Sequence, residues 1–335
     1  MTPYTGITDA GGVYRRPALP PGTYAVNQTG ELGTFLRNTG SLITSMDPDI
    51  KRPRTDEISA SVDHELVPDL RLSVAFNYRH ERELFGNHDV GVPYSSYRQV
   101  TRPDIGRDGL PGTADDTTIQ VWDQDPATRG LNRIVITNNE LLNQDYKGLE
   151  VTATKRFSRK WLMLAGYTVS KIVINADSVQ TPNQLINTRG PTSFDRTHIF
   201  KLTGSYILPY DILISGNLRT QTGEAKTRTA VFALTQGNVT INVEPRGNQR
   251  LDYLTTLDLR LSKTFMMSGR GLELALDFYN LMNANTVWDV RTNTGRLNVR
   301  QGGDPSGTLL NQQQYFSPLS IIGPRIVRFG AAYRF

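Results

Sequence analysis

The sequence predicts an all-β protein, an antiparallel β-barrel that crosses a membrane with its strands. Three observations carry that prediction. Apolar and polar residues alternate with period two in segments about ten residues tall, the height that a tilted membrane strand needs. No stretch approaches the roughly 18 apolar residues of a membrane helix. The connections between segments alternate between tight turns and long polar loops, the plan of a barrel with short periplasmic turns and long extracellular loops.

Composition agrees. The chain has 335 residues, of which 38% are hydrophobic. Its mean hydropathy of -0.39 does not exclude a membrane barrel, which hides apolar residues in alternate positions. The net charge of +5 is spread without a basic block, which argues against nucleic-acid binding. There is no cysteine, hence no disulfide frame and no thiolate metal site.

The elements follow in chain order. Residues 1–56 are a loop-rich segment leading into the barrel, and 57–335 hold its strands. Met1 to Ala10 lacks the apolar core of a signal peptide, so the chain is expected to be the C-terminal part of a longer product. In the first hairpin Ile58, Ala60, Val62, His64 and Leu66 share a face, Val67-Pro68-Asp69 turns the chain, and Leu70, Leu72, Val74, Phe76 and Tyr78 continue that face. The second runs from Tyr146 to Phe157 and from Trp161 to Lys171 around Ser158-Arg159-Lys160. The third places Phe200, Leu202, Tyr206 and Leu208 before Pro209-Tyr210-Asp211, a turn suited to proline, and Ile212, Ile214 and Leu218 after it. The fourth alternates through Leu257, Leu259, Leu261 and Phe265, turns near Ser268-Gly269, and resumes at Leu272 through Phe278. A last strand spans Pro324 to Phe335. The total is about nine strands. Unclosed, such a sheet would expose its edges, so further strands upstream are expected. A secreted β-sandwich would also alternate, but its strands are shorter and its loops less one-sided.

Several motifs then stand in order: Asp47-Pro48-Asp49-Ile50-Lys51-Arg52-Pro53 with Thr55-Asp56-Glu57, Tyr146-Lys147-Gly148-Leu149-Glu150, Gly166-Tyr167-Thr168-Val169-Ser170-Lys171, Phe194-Asp195-Arg196-Thr197-His198, Asp258-Leu259-Arg260-Leu261-Ser262-Lys263-Thr264-Phe265, Phe278-Tyr279-Asn280-Leu281-Met282-Asn283, and the terminal Arg328 to Phe335. Together they resemble the C-terminal barrel of TonB-dependent outer-membrane receptors, most of all the Oar-like subfamily, whose full-length members carry an N-terminal carboxypeptidase-regulatory-like domain. Arg54 and Ile58 stand where such receptors more often have aromatics. The resemblance implies a bacterial outer-membrane location and uptake of a bulky ligand driven through TonB, in a barrel of roughly 22 strands with a plugged lumen. The partners it implies are outer-membrane lipid, the barrel-assembly machinery, an extracellular ligand of unknown identity, and TonB through an N-terminal part outside this chain. No plug domain or TonB box is recognisable in the sequence. A passive porin and a secreted surface adhesin are the alternatives.

Candidate sites are few. On the polar face the expected register sets Glu65 opposite Arg71, Glu57 opposite Arg79 and Arg260 opposite Asp277, pairings that favour the sheet. The segment from Asp104 to Asp116 offers Asp104, Asp108, Asp115 and Asp116 on a glycine-punctuated loop. Calcium takes carboxylate and carbonyl oxygens on a sharply turning chain, so these four residues are a candidate calcium site; no other cofactor is expected. The four histidines show no zinc spacing, no nucleophile motif is present, and His198 reads as a membrane-interface residue. No enzymatic activity is expected. At the C-terminus Val327, Phe329, Ala331, Tyr333 and Phe335 recur at intervals of two, fitting a lipid-facing last strand. Phe335, Tyr333 and Phe329 resemble the signal that barrel-assembly machinery reads.

Overall fold

Tight turns between alternating segments are the local cause of the architecture. The computed structural model describes residues 43–267, 269–296 and 315–335. Its wall consists of β1 (Arg54–Val67), β2 (Leu70–Arg82), β3 (Gln144–Ser158), β4 (Trp161–Ile174), β5 (His198–Leu208), β6 (Ile212–Gln221), β7 (Leu254–Met267), β8 (Arg270–Tyr279) and β9 (Ile326–Arg334). Each strand pairs antiparallel with the next in the chain, giving an up-and-down meander in sequence order. Arg159 and Lys160 both adopt positive φ (50° and 71°), the twist that lets a two-residue turn join right-twisted strands. Asp69 takes φ 70° after Pro68, the corresponding device in the first hairpin. Ser268, expected in the fourth turn, lies outside the described residues, as do residues 1–42.

Register sorts the side chains onto two faces. One transverse row runs Val62, Val74, Val151, Tyr167, Phe200, Thr220; the adjacent row on the opposite face runs Asp63, Ser73, Thr152, Gly166, Lys201, Arg219, Thr256. The apolar face stays uncovered: Val62 is 70% and Phe329 69% exposed. An uncovered apolar surface of this extent has to meet something other than water. Among the described residues no helix is long and apolar enough to cross a membrane.

Arg79 pairs with Glu57 at 3.0 Å and Arg260 with Asp277 at 3.2 Å, in the expected register. Glu65 also stands opposite Arg71, but the ion pair differs from the expectation. Arg71 reaches Asp63 at 2.9 Å, while Glu65 turns toward the hairpin and accepts the Asp69 backbone N–H at 3.1 Å. The tight turn leaves that N–H without a ladder partner, and the Glu65 carboxylate serves it.

β1 and β9 are the sheet edges among the described residues, and both run from the loop end toward the turn end. Strands with the same direction cannot close antiparallel onto each other, so an all-antiparallel closure requires an odd number of further strands.

The long connections, 83–143, 175–197, 222–253 and 280–325, are built differently from the solvated loops that their polarity suggests. The first contains Phe85–Asp89, Tyr97–Asp104, Thr117–Gln124 and Arg133–Asn138 as short strands. The third contains the hairpin Thr229–Leu234 with Gly237–Asn242. Val121, Ala230, Phe232 and Ile241 bury a shared core between these two loops, with Ile186 of the second loop against it. Ile43–Met46, ahead of the wall, pairs parallel with Arg133–Asn138. The loops thus form a folded cap over one end of the wall.

Candidate functional site

The cap is held by ion pairs that link distant segments. Tyr97–Asp104 ends on Asp104, and the third loop brings Arg228 against it just before the hairpin strand Thr229–Leu234. The two make a bidentate contact, Arg228 Nη1 to Asp104 Oδ1 at 2.8 Å and Nη2 to Oδ2 at 2.5 Å. Arg228 also donates to the Gly106 carbonyl at 2.8 Å and, through Nε, to Glu244 at 2.9 Å. Glu244 receives Arg107 through Nε at 2.9 Å and Nη2 at 3.0 Å, and Asn248 at 2.9 Å. Two guanidinium groups and two carboxylates therefore neutralise one another; Arg228 is 5% and Asp104 3% exposed. Burial alone would raise the Glu244 carboxyl, but hydrogen bonds from Arg107, Asn248 and Arg228 outweigh it and hold the group at about 2.

Further clamps join the other loops. Arg250 of the third loop binds Asp195 of the second at 2.6 Å. Lys226 bridges Glu224 at 2.8 Å and Asp289 of the fourth loop at 2.7 Å, and Arg196 joins Glu224 at 2.5 Å. Burial would lower the Lys226 ammonium, yet its hydrogen bonds to Asp289 and Glu224 raise it. Asn183 of the second loop both accepts from the Trp122 N–H at 2.8 Å and donates to its carbonyl at 2.7 Å, acting as an extra strand rung.

The four acidic candidates are engaged separately. Asp104 belongs to Arg228. Asp115 accepts the Thr113 hydroxyl at 2.7 Å and the Arg107 N–H at 2.6 Å, which lower its carboxyl. Gly106, at φ +68°, leaves the space that the Asp115 carboxylate fills. Asp108 accepts the Leu110 N–H at 2.8 Å, and Asp116 the Gly112 N–H at 2.5 Å. Among the described residues no three His, Asp or Glu side chains converge as a metal site would require. Calcium binding by this loop would fall to Asp108, Asp115 and Asp116, after they exchange these donors for the ion. Arg107, Arg228 and Glu244 were not candidates in the sequence: each sits in unremarkable polar context, and Arg228 is 124 positions from Asp104.

On the polar face of the wall Asp277 receives Arg328 at 2.7 Å as well as Arg260, while Glu273 receives Arg260 at 3.0 Å and Arg334 at 3.6 Å, a ladder across β7, β8 and β9. On the apolar face Val327, Phe329, Ala331 and Tyr333 stand opposite Phe278, Leu276, Leu274 and Leu272. Phe335 lies just beyond β9, with its ring 6.5 Å from that of Tyr333. His198 is on the same face at the loop end, stacked on Tyr167 with ring centroids 6.1 Å apart and Nδ1 2.7 Å from its hydroxyl. With Phe200, Thr220 and Tyr253 they line a cleft of about 250 Å³, at the level where barrels carry an aromatic girdle.

A meander wall with one apolar and one ion-paired face, short turns at one end and a folded cap at the other, defines a bacterial outer-membrane barrel protein. The chain belongs to the family of outer membrane beta barrel domains, which matches over residues 4–212. It is 24% identical over 346 residues to the TonB-dependent transporter Oar of Myxococcus xanthus, covering 87% of this chain and 29% of that protein. The chain thus spans less than a third of its curated relative. Among solved structures it is similar to the Escherichia coli outer membrane transporter YddB (13% identity, TM-score 0.46, covering 88% of this chain and 35% of that one). It is also similar to the pyoverdine outer membrane receptor FpvA of Pseudomonas aeruginosa (12% identity, TM-score 0.44, covering 85% and 30%). These relatives are named as transporters and receptors. Its place is the bacterial outer membrane.

Proposed function

We propose that this chain is the C-terminal wall and much of the surface cap of a TonB-dependent transporter that takes up a bulky ligand. The observation that carries the reading is the ion-paired cap, which among the described residues sits at one end of a wall with one apolar and one polar face. A receptor needs a shaped, pre-organised surface to recognise its ligand, and loops locked together by buried charge pairs supply one. The parity of the wall supports the same reading. β1 and β9 run in the same direction, so other strands must complete the barrel, and the family relationship to Oar suggests that upstream segments of a longer protein supply them and the coupling to TonB. The loop end faces the outside and the hairpin turns the periplasm.

Single cysteines test this in cells making the full-length protein. Gly109→Cys in the cap is expected to react with an impermeant thiol reagent, and Arg159→Cys in a hairpin turn to stay unlabelled until the outer membrane is opened. Labelling at Arg159 alone would invert the orientation. Asn311, the other position suited to such labelling, lies outside the described residues. A steady open conductance from the purified protein in a planar bilayer would replace the transporter with a passive pore.

A further inference from the structure

The apolar face carries two lysines where their charges are unfavourable. Lys147 of β3 and Lys171 of β4 are direct cross-strand partners, and both are exposed. Their row on the apolar face runs Ile58, Tyr78, Lys147, Lys171. Like charges directly opposite on a sheet are destabilising, and neither ammonium has a carboxylate partner among the described residues. The carboxylate next along that face, Asp145, accepts the Tyr78 hydroxyl at 3.1 Å and faces His80 Nδ1 at 3.0 Å. Across the following strand junction Arg196 is committed to Glu224 and Asp195 to Arg250. Lys147 does lie 5.6 Å from the Tyr78 ring, a contact that fixes its position without neutralising it.

The contrast with the other apolar-face lysine on β3 sharpens the point. Lys155, near the turn, is buried, donates to the Arg156 carbonyl at 2.7 Å and sits 5.1 Å over the Trp161 ring. Depth supplies the second observation. From Ser158 back to Lys147 is eleven residues, about 36 Å along an extended strand and ~28 Å above the turn at a tilt near 40°. An apolar band about 25 Å tall ends just below the two ammoniums. Leu149 and Val169, opposite each other one row lower, offer an apolar ledge beneath them.

We infer that Lys147 and Lys171 form a binding site for the phosphate of an anionic membrane lipid, one whose headgroup carries no compensating cation, with the headgroup bridging the two ammoniums while an acyl chain lies down the Leu149–Val169 ledge. The headgroup supplies the negative charge that the protein omits, and Tyr78 flanks it. The site needs only the apolar face to meet lipid, so it holds whichever leaflet the loop end occupies and does not depend on transport.

The test uses the full-length protein in neutral micelles, with unfolding followed by circular dichroism while dimyristoyl phosphatidylglycerol, dimyristoyl phosphatidylcholine or inorganic phosphate is added. Phosphatidylglycerol is expected to raise the unfolding midpoint saturably, and phosphatidylcholine and inorganic phosphate to leave it unchanged. The Lys147→Gln/Lys171→Gln double variant should be at least as stable as the parent without anionic lipid, because the repulsion is gone, and its apparent dissociation constant for phosphatidylglycerol should rise about tenfold or more, the loss expected of charge-assisted contacts. Lys147→Arg/Lys171→Arg should keep the effect. An equal phosphatidylglycerol shift in the Gln double variant, an equal shift with phosphatidylcholine or inorganic phosphate, or a Gln double variant already destabilised without anionic lipid would overturn the inference.

Discussion

Replacing Arg228 by Met removes the centre of the cap's charge network while keeping an apolar side chain of comparable length. Asp104 would then be left 3% exposed, with only the Thr117 hydroxyl at 3.4 Å. Stranding one member of a buried pair costs about 3–5 kcal/mol. Glu244 keeps Arg107 and Asn248, so the damage centres on Asp104. Because the strands Tyr97–Asp104 and Thr229–Leu234 belong to the cap and not to the wall, the cost should appear as local opening. At 1.4 kcal/mol per tenfold, the opening equilibrium should shift by roughly two to three and a half orders of magnitude. Hydrogen exchange of the full-length protein in micelles reads this directly: amides of the loop strands should lose protection while those of β5 and β6 keep theirs. Asp104→Leu alone should also cost stability by stranding Arg228, but Arg228→Met with Asp104→Leu should recover most of the protection, since removing both charges is close to neutral. A double variant as unprotected as either single one, or a wall that loosens together with the cap, would refute the idea that this pair clamps two loops independently of the sheet.

Three further outcomes follow from the same geometry. The Glu244 carboxyl lies at about 2 in the folded cap against 4.5 ordinarily, so its contribution is complete above pH 4.5 and lost as pH falls toward 2. The shift sets a ceiling of about 3 kcal/mol, nearer 1–2 after solvent screening, and Trp fluorescence should report an acid transition in that window that Glu244→Gln removes. Phe329→Arg places a charge on the lipid face of β9, costing up to roughly 2–4 kcal/mol at mid-depth and less near the interface, whereas deletion of Phe335 should reduce assembly; outer-membrane level and heat-modifiable gel mobility separate the two, and normal values for both would remove the lipid-facing assignment of the last strand. For the acidic loop, calorimetry with calcium should give saturable heat that Asp115→Asn weakens if Asp108, Asp115 and Asp116 trade their N–H donors for the ion, and a flat trace with unchanged protease sensitivity would exclude it.

The wall was legible in the sequence because its rules are local. Alternation at period two, Pro68-Asp69 and Arg159-Lys160 between strands, and opposite charges such as Glu57 and Arg79 all lie within one hairpin, and they predicted register to the residue. Even the failure within the wall is local: Arg71 prefers Asp63 because Glu65 is drawn to the turn's own N–H. The cap was not legible for the opposite reason. Val121 finds Ala230, Phe232 and Ile241 across more than a hundred residues of chain, and Arg228 finds Asp104 across 124. Strands of six or eight residues in a polar setting carry too little alternation to be told from coil. The lysine pair falls between these cases. Lys147 and Lys171 sit in segments whose strand character was plain, but two like charges become conspicuous only when register sets them opposite each other on the apolar face. A sheet designed for water would have paired or removed them. A sheet facing lipid can retain them, because the compensating charge comes with the solvent, and that makes the pair a property of the membrane the protein is built for.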